Sequence, residues 1–214
     1  TLIVSASKFI IVELEPCAKE KNYKIKAKYC KSKAEMEKHS VGTLQDGMMV
    51  HSPDGKTVYR TKISSIRGDY KDNADNKNRL RLWEKSDFVP RPNDIFQERL
   101  YCVQWMRKKK SGKGDEYQFR AVTEDDLKRV QKIIDYVRDH LAEWQEKGYV
   151  PDMVIEAGDK TDEPIRTRGW THWHHLFNPR QLLMCGIIQN KLNSTTVNRE
   201  SLTLYFSRLL DWST

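Results

Sequence analysis

Apolar residues repeat along this chain at two different periods, and the change of period divides it. Before about residue 122 they come in short runs or in alternation, which predicts β-strands. Phe9-Ile10-Ile11-Val12 is a short apolar strand closed by Pro16. From Tyr23 to Tyr29 lysine alternates with apolar groups, so one face of the strand is cationic and the other apolar. Met48-Met49-Val50 and Thr57-Val58-Tyr59 flank Ser52-Pro53-Asp54-Gly55, a turn sequence that predicts a hairpin. Arg99 to Met106 and Glu116 to Val122 predict a second antiparallel pair, and Lys33 to Glu37 one helical turn.

After Thr123 the period becomes helical. Leu127, Val130, Ile133, Ile134, Val137, Leu141 and Trp144 recur at threes and fours, giving one apolar stripe. Thr123 is placed to cap this helix, and Gly148 with Pro151 ends it. Two further helices are predicted, from Pro179 to Leu192 and from Arg199 to Asp211. Between these patterned regions, Ser64 to Phe88 reads as a long exposed polar loop, and Asp152 to Arg168 as an irregular linker. The fold class expected is α+β: a β-rich N-terminal region with hairpins, one long amphipathic helix, then a helical C-terminal segment. The expected domains are 1–150, a linker at 151–168, and 169–214.

Composition adds a partner class. Lys and Arg exceed Asp and Glu by eight charges, 38 against 30, which suits an anionic surface such as nucleic acid. The connector Arg107-Lys108-Lys109-Lys110-Ser111-Gly112-Lys113-Gly114 concentrates that charge in a flexible basic finger. Arg107, Lys108, Lys109, Lys110 and Lys113 are the candidate phosphate contacts, and a solvated hairpin tip is the alternative. No run reaches the ~18 apolar residues of a membrane helix, so a cytoplasmic chain with no membrane partner is expected. The four cysteines (Cys17, Cys30, Cys102, Cys185) form no C-x-x-C pair and read as free thiols.

The densest chemistry lies between Gly169 and Leu183, reading G-W-T-H-W-H-H-L-F-N-P-R-Q-L-L. Asn178 can cap the helix that follows, and Pro179 suits its first turn. Helix-start amides beside Arg180 make a possible anion seat. His172, His174 and His175 invite a metal-dependent nuclease reading, with Asp159 or Asp162 nearby. Their spacing is not that of a helix-borne H-E-x-x-H, and in an extended strand His175 opposes the other two.

Leu176-Phe177-Asn178-Pro179-Arg180-Gln181-Leu182-Leu183 resembles the "L-F-T-P-R-Q-L-L" helix of the large bacterial adenine-specific DNA methylases, including those found near anti-phage defence genes. Phe96 to Val103 resembles the family's "E-R-L-Y-A-V" strand, and Tyr117 to Leu127 its "Y-R-x-x-T-E-x-D-L" join. Glu163-Pro164, Gly169-Trp170 and the stretch Leu202 to Ser213 follow in the family's order. The resemblance implies a SAM-dependent DNA adenine-N6 methyltransferase of the restriction-modification or defence type, with DNA as partner. It places Phe177, Asn178, Pro179 and Arg180 beside the methionine end of S-adenosyl-L-methionine.

The chain departs from the family where chemistry is concentrated. It has neither the F-x-G-x-G cofactor turn nor the D/N-P-P-Y/F motif. His51-Ser52-Pro53-Asp54-Gly55 stands where many members carry a Cys-Pro-x-Cys-Gly zinc knuckle. A chain opening on Thr1 and closing at Thr214 is therefore expected to be a piece of such a methylase. It would partner with the remainder of that chain, have no catalytic residues of its own, and bind no cofactor alone. A non-catalytic nucleic-acid-binding or protein-docking module is the alternative.

Overall fold

The computed structural model describes residues 2–5, 8–17, 22–39, 42–52, 54–73, 75–110, 114–158, 160–195 and 198–213. In chain order the elements are β1 (Leu2–Ser5), β2 (Ile10–Cys17), β3 (Asn22–Tyr29), α1 (Lys33–Glu37), β4 (Leu44–Gln45), β5 (Met48–His51) and β6 (Tyr59–Lys62). Then come α2 (Ile63–Arg67), β7 (Tyr70–Asp72), β8 (Asp75–Lys77), β9 (Val103–Lys108) and β10 (Asp115–Arg120). The remainder is helical: α3 (Glu124–Glu146), α4 (Asp162–Arg168), a 3₁₀ turn at Trp173–Leu176, α5 (Pro179–Asn193) and α6 (Arg199–Ser213). The fold is α+β, with β-hairpins first, one long amphipathic helix, and a helical C-terminal segment.

The elements gather into two compact units that interleave along the chain. One comprises Thr1–Asp69 with Arg99–Glu124, the other Tyr70–Glu98 with Asp125–Thr214. This division differs from the expected 1–150, 151–168 and 169–214. The long helix is grouped with the helical segment, because its apolar stripe is buried there.

In the first unit β1, β2 and β3 form an antiparallel sheet with β2 at the centre. Ile10, Ile11 and Val12 are buried in succession, as a central strand covered on both faces requires. Ile11, Cys30 and Met36 make a small core with Phe9 against it. The lysine face of β3 is balanced by carboxylates: Lys26 pairs with Glu15 at 2.7 Å, and Lys28 lies 3.7 Å from Glu13 and 3.4 Å from Glu35. It is an ordinary solvated sheet face.

The hairpin of β5 and β6 pairs His51 with Tyr59, so its connection is longer than the expected four residues. Asp54 organises that connection; Pro53 lies outside the described residues. Its Oδ1 accepts from the amides of Lys56 (2.9 Å) and Thr57 (2.8 Å). Those two amides, Lys56 first, hold the Asp54 carboxyl down at about 2. A carboxylate, rather than a metal knuckle, ties this loop together.

In the second unit the stripe of α3 buries Val137, Leu141 and Trp144 against Leu182, Cys185 and Leu192 of α5, with Phe88, Val150 and Phe206 completing the core. Leu127, at the start of the stripe, is exposed. One face of α5 is buried, whereas Met184 and Ile187 are exposed.

Two polar stretches are more ordered than their composition suggests. Within Ser64–Phe88, expected as loop, lie most of α2 and the β7–β8 hairpin, and Asp162–Arg168, expected as linker, is α4. Gly169 ends α4 in the left-handed region at φ +77°, donating its amide to Ile165.

Candidate nucleic-acid interface

The β9–β10 hairpin is a two-stranded ribbon in continuous register, from Val103↔Arg120 to Lys108↔Asp115. The expected strand at Arg99–Met106 starts later, at Val103. Alternation places Val103, Trp105 and Arg107 on one face, opposite Arg120, Gln118 and Glu116. The other face carries Phe119, which is buried, together with the exposed Met106 and Tyr117. The outer edge of β10 is tied down by side chains: Lys8 Nζ donates to the Tyr117 carbonyl at 3.0 Å, and Tyr29 Oη bonds both the carbonyl and the amide of Phe119.

Of the predicted phosphate contacts, Arg107 and Lys108 lie on β9, and Lys109 and Lys110 follow it; all four are exposed. Lys113 lies outside the described residues. Arg107 is bonded to Glu116, with Nε to Oε2 at 2.8 Å, so its charge is shared on the ribbon. Sequence reasoning passed over Trp105, which is 51% exposed beside these cations, with the Arg120 guanidinium 5.8 Å from its ring centroid. Its signal was available: the period of two puts Trp105 on the same face as Arg107.

The residues from Trp170 to His175 form a separate cluster in the second unit, and its hydrogen bonds show what it does. His175 Nδ1 accepts from the amides of Thr171 (3.1 Å) and His172 (3.2 Å), so the proton sits on Nε2, which faces the Glu84 carbonyl at 3.1 Å. His174 Nε2 faces the Asp87 carbonyl at 3.1 Å, and its Nδ1 lies 3.4 Å from the Gln145 amide. Burial, followed by the neighbouring imidazole of His174, lowers His175 to about 4; burial also lowers His174.

The 3₁₀ turn brings the three rings together, with centroids 4.4–5.6 Å apart, in place of the opposed arrangement expected of an extended strand. Yet the nitrogens of His174 and His175 that a metal would need are engaged by protein groups. Among the described residues no group of three or more His, Cys, Asp or Glu side chains is placed to hold a metal ion. The cluster is a staple: it fastens the loop 83–88 through that loop's own carbonyls.

Further bonds complete the staple. Trp83 N donates to the Gly169 carbonyl at 2.8 Å, and Thr171 Oγ1 donates to the Trp83 carbonyl. A Cβ at Gly169 would fall 2.2 Å from the Arg81 carbonyl oxygen, so the close approach and the positive φ both require glycine. On the other side of the loop, Arg81 makes a two-point contact with Asp94 at 2.7 Å each and reaches Asp87 at 2.5 Å. Arg91 adds Nε to Asp87 at 2.8 Å. A stretch read as a polar loop is thus fixed by buried carboxylates.

The expected cofactor residues are organised inwardly. Asn178 Oδ1 accepts from the amides of Arg180 (3.0 Å) and Gln181 (3.1 Å), and Gln181 Oε1 accepts from Asn178 N at 2.7 Å. Pro179 is buried, Phe177 packs against the core, and Arg180 is exposed. The amides proposed for a cofactor carboxylate are taken by the helix's own cap, so residues 177–180 do not fit a S-adenosyl-L-methionine seat by themselves. Cys185, buried in α5, has its thiol pushed up to about 11 by burial, which removes it as a nucleophile.

No family model, curated protein or solved structure matches the chain. Among the described residues no helix is long and apolar enough to cross a membrane.

Proposed function

We propose that this chain is the DNA-contacting portion of a SAM-dependent adenine-N6 DNA methyltransferase, without catalytic residues of its own. The β9–β10 ribbon is its contact surface. The observation carrying this reading is the run of Arg107, Lys108, Lys109 and Lys110 at the end of β9, all exposed, in a chain of net charge +8. A two-stranded ribbon can enter the major groove, and cations near its tip gain free energy by releasing counterions from phosphate. The methylase part of the reading rests on the sequence resemblance in α5 and α6. Methyl transfer itself belongs to the remainder of the methylase, which would supply the cofactor turn and the Pro-Pro-Tyr motif.

Duplex DNA titrated by fluorescence anisotropy at several salt concentrations tests the proposal. Affinity should fall steeply with salt, and changing Lys108, Lys109 and Lys110 together to Ala should reduce the log–log slope by about 3. Salt-insensitive binding, or a triple variant with the wild-type slope, would remove the ribbon from the interface.

A further inference from the structure

The lysines account for attraction to phosphate but not for the tryptophan among them. An indole on a strand face is normally buried; Trp105 is instead half-exposed, on the face of the ribbon opposite the buried Phe119. Its neighbours on that face are Gln118 directly across, the Arg107–Glu116 ion pair toward the tip, and Val103 with Arg120 toward the base. The Arg120 guanidinium stands 5.8 Å from the indole centroid, a cation–π distance that restrains the ring. Glu116 and Asp115 are the acidic groups of the ribbon. Among the described residues, Arg107, Lys108, Lys109, Lys110 and Arg120 stand against them, leaving an excess of three positive charges.

We propose that Trp105 is a stacking site for an unpaired DNA base, with the ribbon cations tracking the adjoining phosphates. The inference rests on the DNA-contact reading above and refines it from duplex contact to contact with a strand whose bases are accessible. Trp105 is a restrained, solvent-facing ring with Arg120 and the Arg107–Glu116 pair on its own face, and Lys108, Lys109 and Lys110 continue the same strand toward the tip. Aromatic rings with cations along the strand path are how proteins hold single strands without reading their sequence. A base inside a duplex offers no free face to such a ring, whereas an unpaired base does. The charge of the ribbon selects a polyanion over an apolar protein partner or a second copy of this chain.

The test uses the 214-residue chain with labelled single-stranded oligonucleotides of about 12 nucleotides, a length within the reach of such sites, and the matching duplexes. Trp105→Ala should weaken single-strand binding about 10-fold while leaving the salt slope unchanged, since stacking releases no counterions. Trp105→Phe should restore most of the affinity, and both variants should melt with the wild type because the side chain is half-exposed. Wild-type affinity in Trp105→Ala, with DNA binding otherwise intact, overturns the stacking site alone. A wild-type chain that binds neither form of DNA overturns the DNA-contact reading, and this inference with it. Loss of a wild-type dimer in Trp105→Ala, seen by sedimentation, would overturn it in favour of self-association.

Discussion

The indole of Trp144, on α3, lies against the backbone of α5 at Gly186. A Cβ built on Gly186 would stand 2.5 Å from Cδ2 and 2.6 Å from Cε2 and Cε3 of that ring. Trp144 is 5% exposed and packed within the core, so moving the ring would disturb its other contacts. The glycine therefore sets how closely the two helices approach. Helix propensity alone would favour Ala at position 186 by about 1 kcal/mol, but overpacking a filled core costs about 1–3 kcal/mol. Gly186→Ala should consequently destabilise the chain by up to about 2 kcal/mol in urea unfolding, the clash offsetting and, at contacts this short, outweighing the propensity. Adding Trp144→Leu should recover part of the loss. Additive effects of the two substitutions would show that the contact is not the cause.

His175 gives the chain a pH dependence whose sign follows from its hydrogen bonds. In the folded state its Nδ1 must be unprotonated to accept two amides, and its pKa is about 4 against 6.5 for a free imidazole. Unfolded chains therefore take up a proton between pH 6.5 and 4 that folded chains refuse, so stability falls as pH falls through that window. The contribution present above it is roughly 3 kcal/mol. His174, also lowered by burial, acts in the same direction. Urea midpoints measured from pH 7 to pH 4 should decline, and His175→Phe should flatten the decline while lowering stability at pH 7. An NMR titration placing the His175 midpoint near 6.5 would reject this account.

Those same bonds explain what could and could not be read from the sequence. The stripe of α3, the caps of α5 and the alternation of β3 are local patterns, and each forms the element expected of it. The role of the histidines could not be read locally, because their partners are the carbonyls of Asp87 and Glu84, 87 and 91 residues away in the chain. No local period carries such information. The stretch Ser64 to Phe88 reads as exposed for a related reason. Its Asp, Asn, Lys and Arg content reads as solvated, yet Arg81 pairs with the buried Asp87, and Arg91 and Asp94 just beyond it complete the network. Trp105 was legible by register, but attention to charge passed over it.

Arg81 is the centre of that carboxylate network. Its hydrogen bonds, ahead of the opposing effect of burial, hold Asp94 below the usual carboxylate range. Removing the guanidinium leaves Asp94 without its two-point partner and Asp87 held by Arg91 alone. Losing one partner of a buried pair costs about 3–5 kcal/mol, and the partial exposure of Arg81 places this loss toward the lower end. Arg81→Ala should therefore be among the most damaging substitutions in the second unit. Arg81→Lys should recover little, because a single ammonium cannot span both oxygens of Asp94 while also reaching Asp87. Hydrogen exchange at the Trp83 amide, bonded to Gly169, reports the loop directly and should accelerate in both variants. Unchanged exchange would mean that the histidine staple alone orders residues 83–88.

Asn178 separates a structural role from a cofactor role at the start of α5. Its oxygen caps two amides, and the reciprocal bond from Asn178 N to Gln181 completes a capping box. Asn178→Ala should cost about 1 kcal/mol, the usual value of an N-cap. Asn178→Thr, which restores the residue of the resembled motif, should cost only a few tenths, because a Thr hydroxyl caps the same amides nearly as well. Urea unfolding of the two variants gives the comparison. If Asn178→Thr proved as damaging as Asn178→Ala, capping would not be the function of this side chain, and a contact specific to the amide group would have to be sought. Near-wild-type stability of Asn178→Thr would show that the helix start is built to be capped.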